Sequence, residues 1–514
     1  MTPRAPEHLD VVVVGAGLSG IAAAYHLQTR CPDKTFAILE ARDSLGGTWD
    51  LFRYPGVRSD SDMYTLGFPF RPWSGSRAIA DGASILAYLE ETARACGIDR
   101  QIRYRHRVRL AAWSSSDARW TLTVEDGSSA APRQLTCRFV ILCSGYYDDQ
   151  EGYTPAFAGR ERFRGRIVHP QKWTPDIEYA DKRVVVIGSG ATAVTLVPEL
   201  ARRAAHVTML QRSPTYVVAM PARDRLVAWL RRHVSADAAY RFGRWKYIAL
   251  AQGFYGFSRR HPDLAARFLL GRVRRSLGGA LSVKTHFTPT YRPWDQRLCV
   301  VPDGDLFAAI RSGAASVVTD HIESFTERGI ALRSGRLLDA DLIVTATGLK
   351  LRLLGGIDAT VDGQPVDPSQ LLIYRGLMCA GVPNLAFITG YTNASWTLKA
   401  DLAARYICRL LVYMDRHGHA QCVPRRPASP MEESPIIDLS SGYIQRSIDQ
   451  LPRQGSRNPW RVPQSYARDI VTFEFGRVAD PALEFHSGTI TKSSWVSRDG
   501  APSIRSSASR SSSR

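Results

Sequence analysis

No apolar run in this chain of 514 residues approaches the ~20 residues that a membrane-spanning helix needs. The N-terminus also lacks an apolar leader with a small-residue cleavage site, since a strand pattern begins at Leu9. Cysteine is sparse and scattered, at Cys31, Cys96, Cys137, Cys143, Cys299, Cys379, Cys408 and Cys422, with no two at CxxC spacing. This argues against a zinc site and against a flavin-linked disulfide reductase, which needs two adjacent thiols to exchange with a disulfide. Reduced, mostly buried thiols in a cytoplasmic protein are expected, and no metal. Lysine is scarce too: 67 basic residues give a net charge of +19, and almost all of it is arginine. No nucleic-acid-binding motif accompanies the charge. Two readings remain: an Arg-rich protein that binds phosphorylated cofactors, or one that also touches the inner face of the cell membrane weakly and peripherally.

What is present is a duplication. LDVVVVGAGLSGIAAAYHL (Leu9 to Leu27) and KRVVVIGSGATAVTLVPEL (Lys182 to Leu200) each pass from a β-branched run through a glycine turn into a helical pattern. In the first loop Gly15 allows the tight turn, Gly17 lets the backbone approach a pyrophosphate, and Gly20 brings helix and strand together. Ser19 lies in the same turn, where the helix N-terminus offers free N–H groups to phosphates. Glu40 ends the next strand, placed to accept hydrogen bonds from ribose hydroxyls and to repel a 2′-phosphate, which predicts FAD or NAD here.

The second loop is Gly188-Ser189-Gly190-Ala191-Thr192-Ala193. Arg212, followed by Ser213, stands where the first unit has Glu40. This exchanges a ribose acceptor for a phosphate donor and favours NADPH; the alternative is a solvated strand-end arginine. Two dinucleotide folds, one acidic-ended and one Arg-ended, imply electron transfer from NADPH to FAD.

Further motifs carry a resemblance. GGTWDLFRYPGVRSD (Gly46 to Asp60) matches the pattern [AG]GxWxxxx[FY]P[GM]xxxD of the Baeyer–Villiger monooxygenases, and FRGRIVHPQKW (Phe163 to Trp173) is similar to their FxGxxxHxxxW fingerprint. The second departs at its end, where Thr174 replaces the usual Pro or Asp. SDSDMYTLGF, TMLQRSPTY, PWDQRLC and GYTNASWTLKADL narrow the resemblance to the ethionamide-activating branch of that family. It covers the chain from about His8 to Phe485.

The resemblance implies a ketone-to-ester (or lactone) monooxygenase that uses FAD, NADPH and O2 through a peroxyflavin, with S-oxygenation of sulfides and thioamides. A flavin-containing N- or S-monooxygenase with little ketone activity is the alternative. It also implies site residues: Gly47, Thr48, Trp49, Arg58, Ser59, Asp60 and Val108 around the flavin, Arg297 of PWDQR as the catalytic arginine, and Asp60 as its partner. Arg292 is the second candidate, and Gln296 replaces a lysine often found beside the arginine. His169 reads as a structural residue at a domain junction, Asn393 and Ser395 as the start of a helix facing the flavin, and Lys399 and Asp401 as a solvated pair.

The expected architecture is α/β, with two Rossmann-like dinucleotide-binding domains and a helical insertion. The FAD domain comprises 1–148 and 340–485, and the NADPH domain 149–221 and 285–339. The insertion, 222–284, is Arg-rich and aromatic. It reads as an amphipathic lid supplying pocket residues, with a membrane-surface helix as the other reading. A disordered Ser/Arg tail is expected over 486–514. No motif speaks to oligomeric state.

Overall fold

The computed structural model describes residues 6–488 apart from 128 and 130. From residue 489 onward the expected Ser/Arg tail lies outside the described residues. In chain order the first segment contributes β1 (Glu7–Val14), α1 (Leu18–Arg30), β2 (Phe36–Leu39), α2 (Met63–Leu66), β3 (Ile102–Arg103), β4 (His106–Ser114), β5 (Arg119–Asp126) and β6 (Arg133–Leu142). Then come β7 (Tyr147–Gly152), β8 (Arg166–Val168), β9 (Arg183–Ile187), α3 (Ala191–Leu200) and β10 (His206–Gln211). Three helices follow, α4 (Arg225–His233), α5 (Ala236–Arg260) and α6 (Pro262–Leu277), before β11 (Ala315–Thr319) and β12 (Leu342–Thr345). The return segment holds β13 (Leu349–Leu351), β14 (Asp358–Val361), β15 (Gln364–Pro365), β16 (Leu385–Phe387), α7 (Trp396–Arg416), α8 (Gly442–Gln445) and α9 (Tyr466–Ile470).

Two sheets result. In the larger, β1 lies between β2 and β6, parallel to both, and the upper half of β6 pairs in parallel with β16. The antiparallel β4–β5–β6 meander extends it sideways. Val11 to Val14 are buried on both faces, because helices such as α1 and α7 cover one side and the meander the other. The smaller sheet is wholly parallel, in the order β11-β10-β9-β12-β8. An antiparallel pair, β7 with β13, carries the chain between the two sheets.

Three expectations need correction. The 339/340 boundary falls one strand early, since β12 pairs with both β8 and β9 inside the smaller sheet. The strand-then-glycine pattern at 341–348 reads alike for either sheet, and only pairing separates them. Lys399 and Asp401 are not solvated: they are 1% and 2% exposed. α7 is buried on several sides, so Lys399 faces Asp469 at 3.7 Å while Asp401 pairs with His26 at 2.8 Å and Arg405 at 3.1 Å. The segment 222–284 holds α4 to α6, yet none of its residues lines the cleft described below. It docks outside, against the first unit: Arg244 of α5 donates to the carbonyls of Tyr64 (2.8 Å) and Gly67 (2.9 Å) around α2.

Candidate functional site

The first glycine turn is fixed by contacts that leave no room for a side chain. A Cβ on Gly20 would fall 1.9 Å from the Gly15 carbonyl oxygen, so α1 can pack this close to β1 only with glycine there. Gly17 faces Gly47, whose added Cβ would come 3.0 Å from the Gly17 Cα. Two bare backbones thus form opposite lips of a slot. α1 has no side-chain N-cap, so its first-turn N–H groups are left for a ligand. Glu40 is buried and accepts from the N–H of Ala16 (2.7 Å) and of Arg42 (3.0 Å), which holds its carboxylate at the mouth of the slot.

The loop from Gly46 to Asp60 runs from this slot to the second unit. Tyr54 hydrogen-bonds to Thr192 in the first turn of α3, and burial pushes its phenol up to about 12. Arg58 reaches across to Asp305 in a bidentate pair of 2.5 and 3.3 Å. Ser59 is buried, its hydroxyl donating to the Ser61 carbonyl at 2.7 Å. At the far end, α3 also starts without a side-chain cap. Nothing lies within 4 Å of where a Gly190 Cβ would be, so this cradle is open where the first is closed. Ser189 ties it to the adjoining strand end by donating to the Ser213 carbonyl at 2.9 Å.

Between the cradles lies a cleft of about 370 Å³. That falls within the ~300–1,000 Å³ usual for a small-molecule or cofactor site. Its walls include Gly15, Gly17, Ser19, Glu40, Gly47, Thr48, Trp49, Arg58, Ser59, Asp60 and Val108 from the first unit. Ala191, Thr192 and Arg297 come from the second. Asp60 and Arg297 meet there, Oδ2 to Nη2 at 3.7 Å, each about one-third exposed. The Asp60 charge, foremost, raises the Arg297 guanidinium above its ordinary value against the opposing effect of burial. The turn before Arg297 is strained: Trp294 has φ +73°, and Asp295 Oδ2 accepts from the Arg292 N–H at 3.0 Å. Arg292 itself is exposed and outside the cleft.

Other expected residues lie elsewhere. Gly20, Gly188, Ser189, Gly190, Ala193, Arg212 and Ser213 do not line the cleft. Gly20 and Ala193 pack behind their turns, and Arg212 and Ser213 are exposed beyond the second cradle. His169 is at the junction: its Nδ1 accepts from the Gln171 N–H (3.2 Å), so its Nε2–H donates to the Gly348 carbonyl (3.0 Å). Burial, the leading cause, lowers its pKa and favours this neutral tautomer. Asn393 and Ser395 are buried at the start of α7, with Asn393 Oδ1 and Ser395 Oγ unpartnered. Sequence reasoning missed Arg446, whose guanidinium stacks 3.5 Å over the Tyr153 ring. Burial first, and then the Arg212 charge, lower its pKa. It also missed Tyr146, Tyr147 and Trp396, which line the cleft. The doubled tyrosine after the glycine of CSGYY was the available signal. All eight cysteines are free, and no metal-binding group of His, Cys, Asp or Glu occurs among the described residues.

Two uncapped glycine cradles facing one cleft define a two-dinucleotide α/β protein of the flavoprotein type. A family profile described as flavin-binding monooxygenase-like matches residues 76–225, and one for an NAD(P)-binding Rossmann-like domain matches 13–76. The chain is 55% identical over 480 residues to the FAD-containing monooxygenase EthA of Mycobacterium tuberculosis H37Rv, covering 93% of this chain and 98% of that protein. It is 50% identical to EthA of Mycolicibacterium smegmatis, covering 95% and 99%. A probable FAD-binding monooxygenase, AlmA of Acinetobacter baylyi, is 47% identical over 94% and 97%. The chain belongs to this flavin-binding monooxygenase family. Its fold matches an oxidised steroid monooxygenase bound to NADP, with TM-score 0.73, 23% identity and coverage of 94% and 100%. It also matches OTEMO complexed with FAD and NADP, with TM-score 0.72, 20% identity and coverage of 93% and 99%. No helix among the described residues is long and apolar enough to cross a membrane.

Proposed function

We propose that the protein is a Baeyer–Villiger monooxygenase, using FAD, NADPH and O2 to convert ketones to esters or lactones and to oxygenate sulfides and thioamides. The observation that carries this is Arg297, a permanent positive charge held loosely by Asp60 in a cleft shared by both cradles. When bound, FAD and NADPH supply activated dioxygen and the electrons that generate it. Ketone, O2, NADPH and a proton give ester, water and NADP+.

The residues fit both cofactors. The Gly17–Gly47 slot and the uncapped start of α1 would hold the FAD pyrophosphate, with Glu40 on the ribose and Val108 beside the adenine. The uncapped start of α3 would hold that of NADPH, with Arg212 and Arg446 on its 2′-phosphate. Arg446 thereby takes the place left by Gln296. Arg297 stays charged when water is excluded, so it can stabilise negative charge that a lysine would neutralise by losing a proton. Asp60 orients the guanidinium, and at 3.7 Å it leaves the donors free to turn toward a ligand.

A ketone panel assayed beside a sulfide panel tests the reading. Ester formation coupled to NADPH consumption is expected; sulfoxide alone would favour an N- or S-monooxygenase, and peroxide alone a plain oxidase. The finer reading of location is peripheral contact with an anionic membrane surface through the insertion. Residues 222–284 carry fourteen Arg and Lys against three Asp and no Glu. Phe242, Trp245, Leu250 and Phe257 of α5 are 43–57% exposed. Salt-sensitive co-flotation with anionic vesicles, lost in Trp245→Ser/Phe257→Ser, is expected.

A further inference from the structure

Arg297 does not stand alone in the cleft. Tyr146 and Tyr147 line the same wall, their hydroxyl oxygens 2.7 Å apart. Tyr443 of α8 hydrogen-bonds to Tyr146 and packs with both rings. α8 is tied to the Arg297 turn, because the N–H and hydroxyl of Ser440 both donate to the Asp295 carbonyl, at 2.8 and 3.1 Å. The Arg297 charge is felt at Tyr147 and Tyr443. On its other side Tyr146 stacks on Trp396, with centroids 5.3 Å apart and planes 10° apart. The indole N–H of Trp396 donates to Ser19 Oγ at 2.8 Å. The tyrosine cluster is thereby braced between the first glycine turn and the arginine.

Proton counting gives this cluster a role. Three phenols joined by two hydrogen bonds hold three protons, and the bonds use two of them. The third O–H has no protein acceptor among the described residues. A relay that runs from Tyr443 to Tyr146 to Tyr147 leaves the spare O–H on Tyr147, which lines the cleft. A neighbouring guanidinium attracts the phenol oxygens and turns the free O–H away from itself. Burial raises the phenols of Tyr147 and Tyr443 well above their ordinary value, so each stays a donor.

We propose that Tyr147, polarised through Tyr146 and Tyr443, donates a hydrogen bond to the substrate's carbonyl oxygen and shares with Arg297 the negative charge that develops there. This rests on the ketone reading above. A sulfide presents no such oxygen to the enzyme, so the tyrosines discriminate between the two substrate classes. Tyr147 is the residue that touches substrate; Tyr146 and Tyr443 are positioning residues.

The test compares Tyr147→Phe, Tyr146→Phe and Tyr443→Phe holoenzymes with wild type. Phenylalanine keeps the ring packing, including the stack on Trp396. Reduction by NADPH should be unchanged. Ester yield per NADPH should fall roughly ten- to hundredfold in Tyr147→Phe, below the ~10²–10³ loss of an unshared oxyanion donor. Sulfoxide yield should hold. Without turnover, caprolactam, an unreactive carbonyl probe, should bind Tyr147→Phe several-fold more weakly than wild type. Unchanged ester yield and caprolactam affinity in Tyr147→Phe would overturn the proposal, as would parallel loss of ester and sulfoxide. Tyr443→Phe, remote from the flavin slot, carries the same ketone-to-sulfide comparison should either other variant lose flavin. Wild type that forms no ester from any ketone would instead overturn the ketone reading itself.

Discussion

The two glycine cradles look alike in sequence and differ in space. The first is closed: Gly20 touches the Gly15 carbonyl, Gly17 faces Gly47, and the Gly46–Asp60 loop seals the slot. The second is open at its rim: nothing lies within 4 Å of a Cβ placed on Gly190, and Arg212 lies exposed past it. A closed slot suits a resident group held through every turnover. An open one suits a ligand that enters and leaves. The same strand–turn–helix device thus serves a prosthetic group in one place and a co-substrate in the other, and the difference comes from what packs against it.

The sharpest way to break this comparison is a pair of glycine substitutions, one at the helix–strand contact of the first cradle and one at the rim of the second. Gly20→Ala must push α1 off β1, so we expect colourless protein without flavin and a lowered melting temperature. Gly190→Ala has space for its methyl and should keep its flavin, raising only the KM for NADPH. Equal flavin loss in both would refute the closed–open distinction. Next in size is Arg297→Ala. It should still be reduced by NADPH but lose ester formation by ~10²–10³, with peroxide in its place, whereas Arg292→Ala should match wild type because its side chain is outside the cleft.

Smaller effects sharpen the open cradle. Arg212→Ala and Arg446→Ala should each cut the NADPH-over-NADH ratio of kcat/KM by about tenfold, or ~1.4 kcal/mol, chiefly through KM. The smallest effect concerns Asp62, just after the closed slot. It caps α2 by accepting from the Thr65 N–H at 2.9 Å, yet burial raises its carboxyl to about 6. With the folded pKa above the unfolded one, this group's stabilisation is full at pH below about 4 and is lost as pH rises through about 6. Asp62→Asn should flatten that part of a melting-temperature profile against pH.

Much of this was legible beforehand. Both βαβ units, the meander and the helices at 398–415 and 222–284 follow from periodicity that packing did not override. Fourteen of the named site residues line one cleft because motifs of this kind are local: the loop that sets Gly47 also sets Asp60. What escaped was non-local. Arg446 is 234 residues from Arg212, and Tyr443 is 146 residues from the Arg297 whose charge it feels. The solvated reading of Lys399 and Asp401 failed because charge on a helix gives no sign of partners such as Asp469 and His26, which come from distant segments.

By itself the amino-acid order determined the two glycine turns, their acidic and basic strand ends, and the Gly46–Asp60 loop. Each of these is decided by backbone freedom and side-chain chemistry within about twenty residues. Only the tertiary structure decided which cradle is closed, which arginine enters the cleft, and that three phenols adjoin it. Those outcomes depend on the β7–β13 crossing and the return of α7 and α8 onto the first unit. Such contacts are set by how the whole core packs, which no local stretch of sequence specifies.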